Sequence, residues 1–407
     1  MIKTIKTGII LLAALLLSWL LPWCWSFVTA TPTWSPFTLY SCVTHSFAAI
    51  AFDEEGNIAG RDFKGNTYTE HQFDSILPMF YYRQLAAEGR FPTEIEGIRI
   101  DVQDAERSGF IFRTSPSEIN RRMPGLYQLL ESMPDRVDFK TPEDVFRITD
   151  EGIEFVDKTT NTLNVEKSRA FTKVFRDKGF VFPARAIAGN ASTRKEYDNG
   201  YLLTDSDYRV YHLKQMRGRP FVRRTDVPDS LQIARIFVTE FSDRKLFGFL
   251  VDKDERFYAL DTENYGLHEI PVGKFDPTKE SMMIIGDLFY WTVDIQSLNA
   301  ERLVAINARD YTRVDEYRPE SVPQKEERYA ACLFPFELSF TSPLDGYVQP
   351  RITGVSFQAL WLGALLGILY ALLFRKSLAR RLWPVIGIVV FGLYLFIPLL
   401  IFSAAKR

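Results

Sequence analysis

The stretch Gly200-Tyr201-Leu202-Leu203-Thr204-Asp205-Ser206-Asp207-Tyr208-Arg209-Val210-Tyr211-His212-Leu213 reads as two apolar strands joined by an acidic turn. It returns 48 residues later as Gly248-Phe249-Leu250-Val251-Asp252-Lys253-Asp254-Glu255-Arg256-Phe257-Tyr258-Ala259-Leu260. A weaker copy runs from Gly152-Ile153-Glu154-Phe155-Val156-Asp157 to Leu163, and a looser one joins Tyr290-Trp291-Thr292-Val293-Asp294 to Leu303-Val304-Ala305-Ile306. On the second strand as ruler, Leu163, Tyr211, Tyr258 and Ala305 stand 48, 47 and 47 residues apart. Turn-linked short strands at such a period are the sequence signature of propeller blades.

Working outward, Arg61-Asp62-Phe63-Lys64-Gly65-Asn66-Thr67-Tyr68 follows the same grammar after the turn signal Asp53-Glu54-Glu55-Gly56-Asn57. Gly109-Phe110-Ile111-Phe112 and Gly125-Leu126-Tyr127-Gln128-Leu129-Leu130 fit a further pair of strands. Copies near Tyr68, Tyr127, Leu163, Tyr211, Tyr258 and Ala305 predict an all-β, propeller-like array of about six four-stranded blades. One helical insertion, about residues 70–89, interrupts it: Thr69 and Gln72 are spaced as a capping box, and Ile76, Leu77, Phe80 and Leu85 fall near helical spacing. Pro78 must kink that helix or lie in a first turn. Phe80-Tyr81-Tyr82 is either an exposed docking surface or, as a helical aromatic face more often is, core.

A ring of sheets must close. Apolar strands near Cys42 and near Ala331-Cys332-Leu333-Phe334 flank the array, and pairing them in one blade would remove two open edges. A bond between Cys42 and Cys332 would then clasp the ring in an oxidising compartment, worth roughly 5 kcal/mol in the chain-entropy view. Two buried free thiols are the alternative.

The ends of the chain point to a membrane. Thr7 to Phe52 contains no charged residue, and Gly8 to Val28 is long enough to cross a hydrocarbon core of about 30 Å. Residues 1–31 thus read as a transmembrane anchor, or as a signal peptide cleaved after Val28-Thr29-Ala30. Ile352 to Phe374 and Leu382 to Ala405 are also uncharged and read as a transmembrane hairpin within 352–407, three spans in all. The loop 375–381 between them carries four basic residues and no acid, which places it in the cytoplasm and residues 32–351 on the outer side of the bacterial cytoplasmic membrane. Ala359, Gly363, Gly367 and Ala371 recur every four residues as a small-residue face, for a helix of another protein or for ordinary packing within the hairpin.

Chemistry is sparse. A formal charge of −2 over 407 residues gives no electrostatic reason to hold nucleic acid. Three cysteines and four histidines, none at ligand spacing, predict no metal, and no cofactor motif is present. No nucleophile elbow, zinc-protease helix or phosphate-cradling loop occurs. Asp205-Ser206-Asp207 and Asp252-Lys253-Asp254 are cation ligands or, more simply, hairpin turns. Lys214, Arg217, Arg219, Arg223 and Arg224 are a patch for anionic headgroups or glycans, or a solvated hairpin.

The segment Asp62 to Phe91, above all Gly65-Asn66-Thr67-Tyr68-Thr69, Phe73-Asp74-Ser75-Ile76-Leu77-Pro78-Met79-Phe80-Tyr81-Tyr82-Arg83-Gln84-Leu85 and Gly89-Arg90-Phe91-Pro92, resembles the signature of an uncharacterised family of membrane-anchored proteins from Bacteroides-type bacteria. That resemblance implies residence in the cytoplasmic membrane and an accessory role beside an ABC-type transport system; it carries no catalytic residue over. Two functions follow as expectations. The first is a non-enzymatic extracytoplasmic binding or scaffold protein whose partners are transporter subunits or an envelope protein. The second is a propeller enzyme acting on an envelope glycan or lipid-linked substrate, with carboxylates such as Asp205 or Asp252 converging in the central channel.

Overall fold

A computed structural model describes residues 2–29, 36–52, 58–298, 300–319, 325–374 and 378–404. The chain divides into two compact units, Pro36–Pro319 and, separately, Met1–Ser35 with Glu320–Arg407. The turn Asp53-Glu54-Glu55-Gly56-Asn57 and Arg375, Lys376 and Ser377 of the basic loop lie outside the described residues.

The Pro36–Pro319 unit is mostly antiparallel β-sheet. Three four-stranded meanders run Thr38–Ser41, Ser46–Phe52, Ile58–Asp62, Thr67–Thr69; then Ala186–Gly189, Tyr201–Thr204, Val210–Met216, Arg219–Arg224; then Ile233–Val238, Leu246–Asp252, Phe257–Asp261, Leu267–Ile270. The fourth sheet, Ser281–Gly286, Tyr290–Gln296, Glu301–Asn307, Arg313–Tyr317, gains a fifth strand, Phe110–Thr114, along the open edge of Ser281–Gly286. The two central strands of the repeat are buried on both faces, as Leu246–Asp252 shows throughout its length. A sheet covered on both sides is what continuous apolar runs encode.

Two expected copies fold differently. Phe110–Thr114 does not pair with Gly125–Leu130; it pairs with Ser281–Gly286, because Phe110 and Phe112 alternate inward and meet Phe241 at 4.4 Å and Phe249 at 4.7 Å. Tyr127 makes only a bridge to Phe146. The weak copy from Gly152 forms a two-stranded hairpin, Asp144–Ile148 with Ile153–Asp157, and Leu163 only bridges Val156. Beyond it the Asn164 side chain caps Lys167 N, and the helix Val165–Asp177 lays Phe171 and Phe175 onto the hairpin and the next sheet. Spaced i, i+4, these two rings share one helical face, which favours helix over strand.

The insertion is two short helices rather than one. Glu70–Ile76 starts on the capping box, with Gln72 Oε1 accepting from Thr69 N at 3.1 Å, and ends before Pro78; Tyr82–Ala87 follows. Neighbouring sheets are also joined by buried charge. Lys195 Nζ donates to Asp198 Oδ1 at 2.5 Å and to Glu240 Oε1 at 2.8 Å, and Glu240 Oε2 accepts from Asn190 Nδ2, so the second meander is clamped to the loop after Ile233–Val238. All three charged side chains are at most 5% exposed.

In the other unit, among the described residues, only Thr4–Thr29 within the helix Ile2–Thr29 is long and apolar enough to cross a membrane. The two later apolar stretches form shorter helices. Ile352 belongs to the strand Arg351–Thr353, paired with Glu337–Ser339, so the helix begins only at Ala359 and covers 15 residues. At 1.5 Å per residue that is about 22 Å, short of a bilayer core of about 30 Å. The last apolar stretch breaks at Gly392, whose φ is +54°, into Leu378–Phe391 and Leu393–Ala404. The Ala331-Cys332-Leu333 segment, expected as a closing strand, ends the helix Lys325–Leu333.

Candidate functional site

Asp205 and Asp252, the carboxylates named above as candidates, lie in hairpin turns. Asp205 Oδ1 accepts from the backbone N–H of Asp207 and Arg209, both at 2.9 Å, and its Oδ2 from Val181 N at 3.2 Å. Asp252 repeats this 47 residues on: Oδ1 takes Asp254 N and Arg256 N at 2.9 Å, and Oδ2 takes Arg256 Nε at 2.8 Å and Tyr258 OH at 3.0 Å. Asp62 does the same with Asn66 N and Tyr68 OH, each at 2.8 Å. Each is a buried carboxylate engaged by its own hairpin, Asp205 by the Val181 N–H as well, with a tyrosine six residues downstream in all three. Such turns need an acceptor that reaches back over the N–H groups the chain reversal leaves unpaired. These residues build the repeat and are not spare ligands.

Where the leading strands of the second and third meanders meet Phe110–Thr114 there is an open cleft of about 640 Å³. Ile187, Ala188, Phe237, Tyr201 and Phe112 line it, and Arg113 is its one charged lining side chain among the described residues. The basic cluster disperses: Lys214 is half-buried beside Asp198 and Glu240, which together with Lys195 surround its amine, and burial lowers its pKa. Arg223 stacks on Tyr265 at 4.8 Å, and Arg224 pairs with Asp229 at 2.8 Å. The solvated-hairpin reading fits this arrangement.

A second cavity, of about 250 Å³, lies between the first and fourth sheets and the helical insertion. Tyr40 and Cys42 reach it from the first meander, Met79, Phe80 and Tyr82 from the insertion, and Asp287 and Tyr290 from the turn opening the fourth sheet's second strand. Asp287 Oδ1 accepts from Phe289 N at 2.7 Å and Tyr290 N at 3.0 Å; its other oxygen has no hydrogen bond to a described residue. Burial raises Asp287 to about 6 against the pull of those two N–H groups. Burial also raises the Cys42 thiol, with Asp287 adding to the shift, and raises the Tyr290 phenol, which donates to Glu96 Oε1 at 2.7 Å. Tyr40 shifts the same way, through burial and then Asp315 and Glu96. The Cys42 thiol and the Tyr40 and Tyr290 hydroxyls are thus held protonated, so Cys42 is a thiol rather than a thiolate nucleophile, while Asp287 ionises above about pH 6. His45 Nδ1 lies 3.7 Å from Glu96 Oε1, not on Cys42.

The residues singled out beforehand fall as follows. Phe80 is 39% exposed and rests on Phe37 at 5.3 Å, whereas Tyr81 and Tyr82 are half-buried against the insertion's own core. Cys42 is a buried free thiol and Cys332 an exposed free thiol on a helix, near Gln358. Gly363 and Gly367 face the helix Leu378–Phe391: a Cβ on Gly363 would stand 2.3 Å from the Val389 carbonyl, and one on Gly367 3.3 Å from Val385 Cγ1. Ala359 is buried beside them and Ala371 half-buried, so this face serves packing within the chain. Asp287, Tyr290, Tyr40 and Glu96 were not read from the sequence. Asp287 stands three before Tyr290, a spacing found again at Asp205 and Tyr208 but not after Asp252, so the repeat did not mark it.

Residues 37–306 match a family described as a domain of unknown function (DUF4857). No curated protein matches the chain by sequence. Among solved structures it is similar to PorZ, described as an essential bacterial surface component of the type-IX secretion system of Porphyromonas gingivalis, at 8% identity and TM-score 0.23 over 72% of this chain and 33% of that one. It is similar also to the Cps50 (Swd1) β-propeller domain of Myceliophteria thermophila, at 12% identity and TM-score 0.25 over 49% of this chain and 57% of that one. A third is the dihydro-heme d1 dehydrogenase NirN in complex with DHE, at 10% identity and TM-score 0.22 over 72% and 63%. The chain therefore spans between 33% and 63% of the length of these structures.

Proposed function

The chain belongs to the DUF4857 family, and from that premise we propose that it is a non-enzymatic binding module: a propeller-like domain held at the outer face of a bacterial cytoplasmic membrane by the helix Ile2–Thr29. The observation that carries this reading is the use of the acidic residues. The oxygens of Asp62, Asp205 and Asp252 are taken up by backbone and side-chain donors of the fold, chiefly of their own turns, and the cleft between the leading strands is lined by apolar groups and Arg113 rather than by paired carboxylates. Glycoside hydrolysis would ask for two carboxyl groups about 5–9 Å apart facing one substrate. The tether rests on the 26-residue, predominantly apolar helical segment Thr4–Thr29, which stays largely uncovered by the rest of the chain. The partner we propose is a membrane transporter subunit or an envelope protein.

Alkaline carbonate extraction of membranes tests the tether. The chain stays in the pellet and is released only by detergent; release by carbonate alone contradicts an integral helix. A pull-down in mild detergent tests the partner, and recovery of the chain alone under several conditions contradicts it.

A further inference from the structure

We propose that the cavity between the first and fourth sheets binds a small organic ammonium ion, with the unpaired oxygen of Asp287 as its counter-charge and the surrounding rings as its walls. This deepens the reading of the domain as a binding module and rests on it. The cavity, at about 250 Å³, is below the usual range for drug-sized ligands, so the occupant is a small molecule.

Its walls select by charge. Tyr40, Phe80, Tyr82, Phe110 and Tyr290 line it, and aromatic faces are electron-rich and attract cations. Two carboxylates, Asp287 and Glu106, line it as well, and among the described residues no Lys, Arg or His does. Glu106 is partly answered at the rim, where Arg83 Nη2 lies 3.6 Å away and Arg83 Nε donates to Tyr82 OH at 3.0 Å. Asp287 is not so answered: two N–H groups hold one oxygen and leave the other without a described partner. An anion would meet Asp287, Glu106 and, behind Tyr290, Glu96. A neutral apolar molecule would fit the walls but give that oxygen nothing in exchange for the water it displaces. An ammonium ion satisfies both.

The test uses the full chain in detergent, with choline as the cation, 3,3-dimethylbutan-1-ol as its neutral isostere and 3,3-dimethylbutyrate as the anion. Choline is expected to raise the melting midpoint saturably, the alcohol to need about tenfold more for the same shift, and the acid to give none. Asp287→Asn keeps an oxygen for Phe289 N and Tyr290 N, so the turn survives, and it should erase the difference between choline and the alcohol. In a Cys24→Ser, Cys332→Ser background, choline should slow alkylation of Cys42, which lines the cavity. The proposal is overturned by no shift from choline, by equal shifts from choline and the alcohol in the native chain, by an advantage of choline over the alcohol that survives Asp287→Asn, or by unchanged Cys42 alkylation under saturating choline. None of these outcomes bears on carbonate extraction, so failure of the ligand and failure of the tether are read separately.

Discussion

Asp287 shows at the residue scale what a binding site costs. Its pKa is raised to about 6, chiefly by burial, above the 3.8 of a free aspartate. The folded state therefore holds the proton more tightly than the unfolded one between those values. Its contribution to stability is full below pH 3.8 and is lost as pH rises through about 6, so at pH 7 the ionised group is a liability. Asp287→Asn keeps the turn's acceptor and removes the charge. It should stabilise the protein at pH 7 by about 1–3 kcal/mol, with the gain shrinking below pH 6 and gone near pH 4. Urea unfolding at pH 4, 6 and 7 checks this, and a destabilisation at pH 7 would contradict it. His212 behaves oppositely: burial lowers it to about 3, so it stays neutral, donating from Nε2 to the Asn199 carbonyl and accepting from Tyr265 OH. Its unfolded form takes up a proton below about pH 6.5 that the folded form refuses, so acid weakens the fold between pH 6.5 and 3. His212→Gln should make that loss shallower by up to roughly 1.4 kcal/mol per pH unit, read from urea midpoints across the window.

At the scale of elements, stability sits where sheets and helices meet. Lys195→Met leaves Asp198 and Glu240 buried without their cation, and should cost about 3–5 kcal/mol. Lys279→Met, which removes an exposed pair with Asp276, should change stability by under about 0.5 kcal/mol. Chemical denaturation of both variants decides whether the clamp or mere charge is at work. Gly363→Leu forces a side chain into the Val389 backbone and should destabilise the helical unit by about 1–3 kcal/mol, whereas Gly346→Ala, with open space around it, should not. The hairpins were legible in sequence because strand, Asp turn and tyrosine recur within 14 residues of Gly200 and of Gly248. What escaped was anything joined over distance. The partner of Phe110–Thr114 lies about 170 residues away, at Ser281–Gly286, and no local pattern announces it. Holding to one register also hid the helix Val165–Asp177, whose Phe171 and Phe175 repeat at helical spacing. Uncharged runs marked the apolar helices but not their bounds, since hydropathy is blind to the strand at Ile352 and the break at Gly392.

The whole molecule is two units with different solvents in view: a sheet domain with a buried, hydrogen-bonded interior, and an apolar helical unit whose first helix suits a bilayer. The cavity was illegible for a reason of the same kind, being gathered from residues 39–42, 77–82, 105–111 and 285–292, four stretches that only the fold brings together. The central claim is that the sheet domain faces outward from the cytoplasm while the helix holds it. The most direct measurement places one cysteine at the tip of a repeat turn, Asp254→Cys, where the native side chain is 79% exposed, with Cys24 and Cys332 replaced by serine. Spheroplasts are then treated with a membrane-impermeant maleimide. Labelling of intact spheroplasts is the predicted result; labelling only after lysis would contradict it.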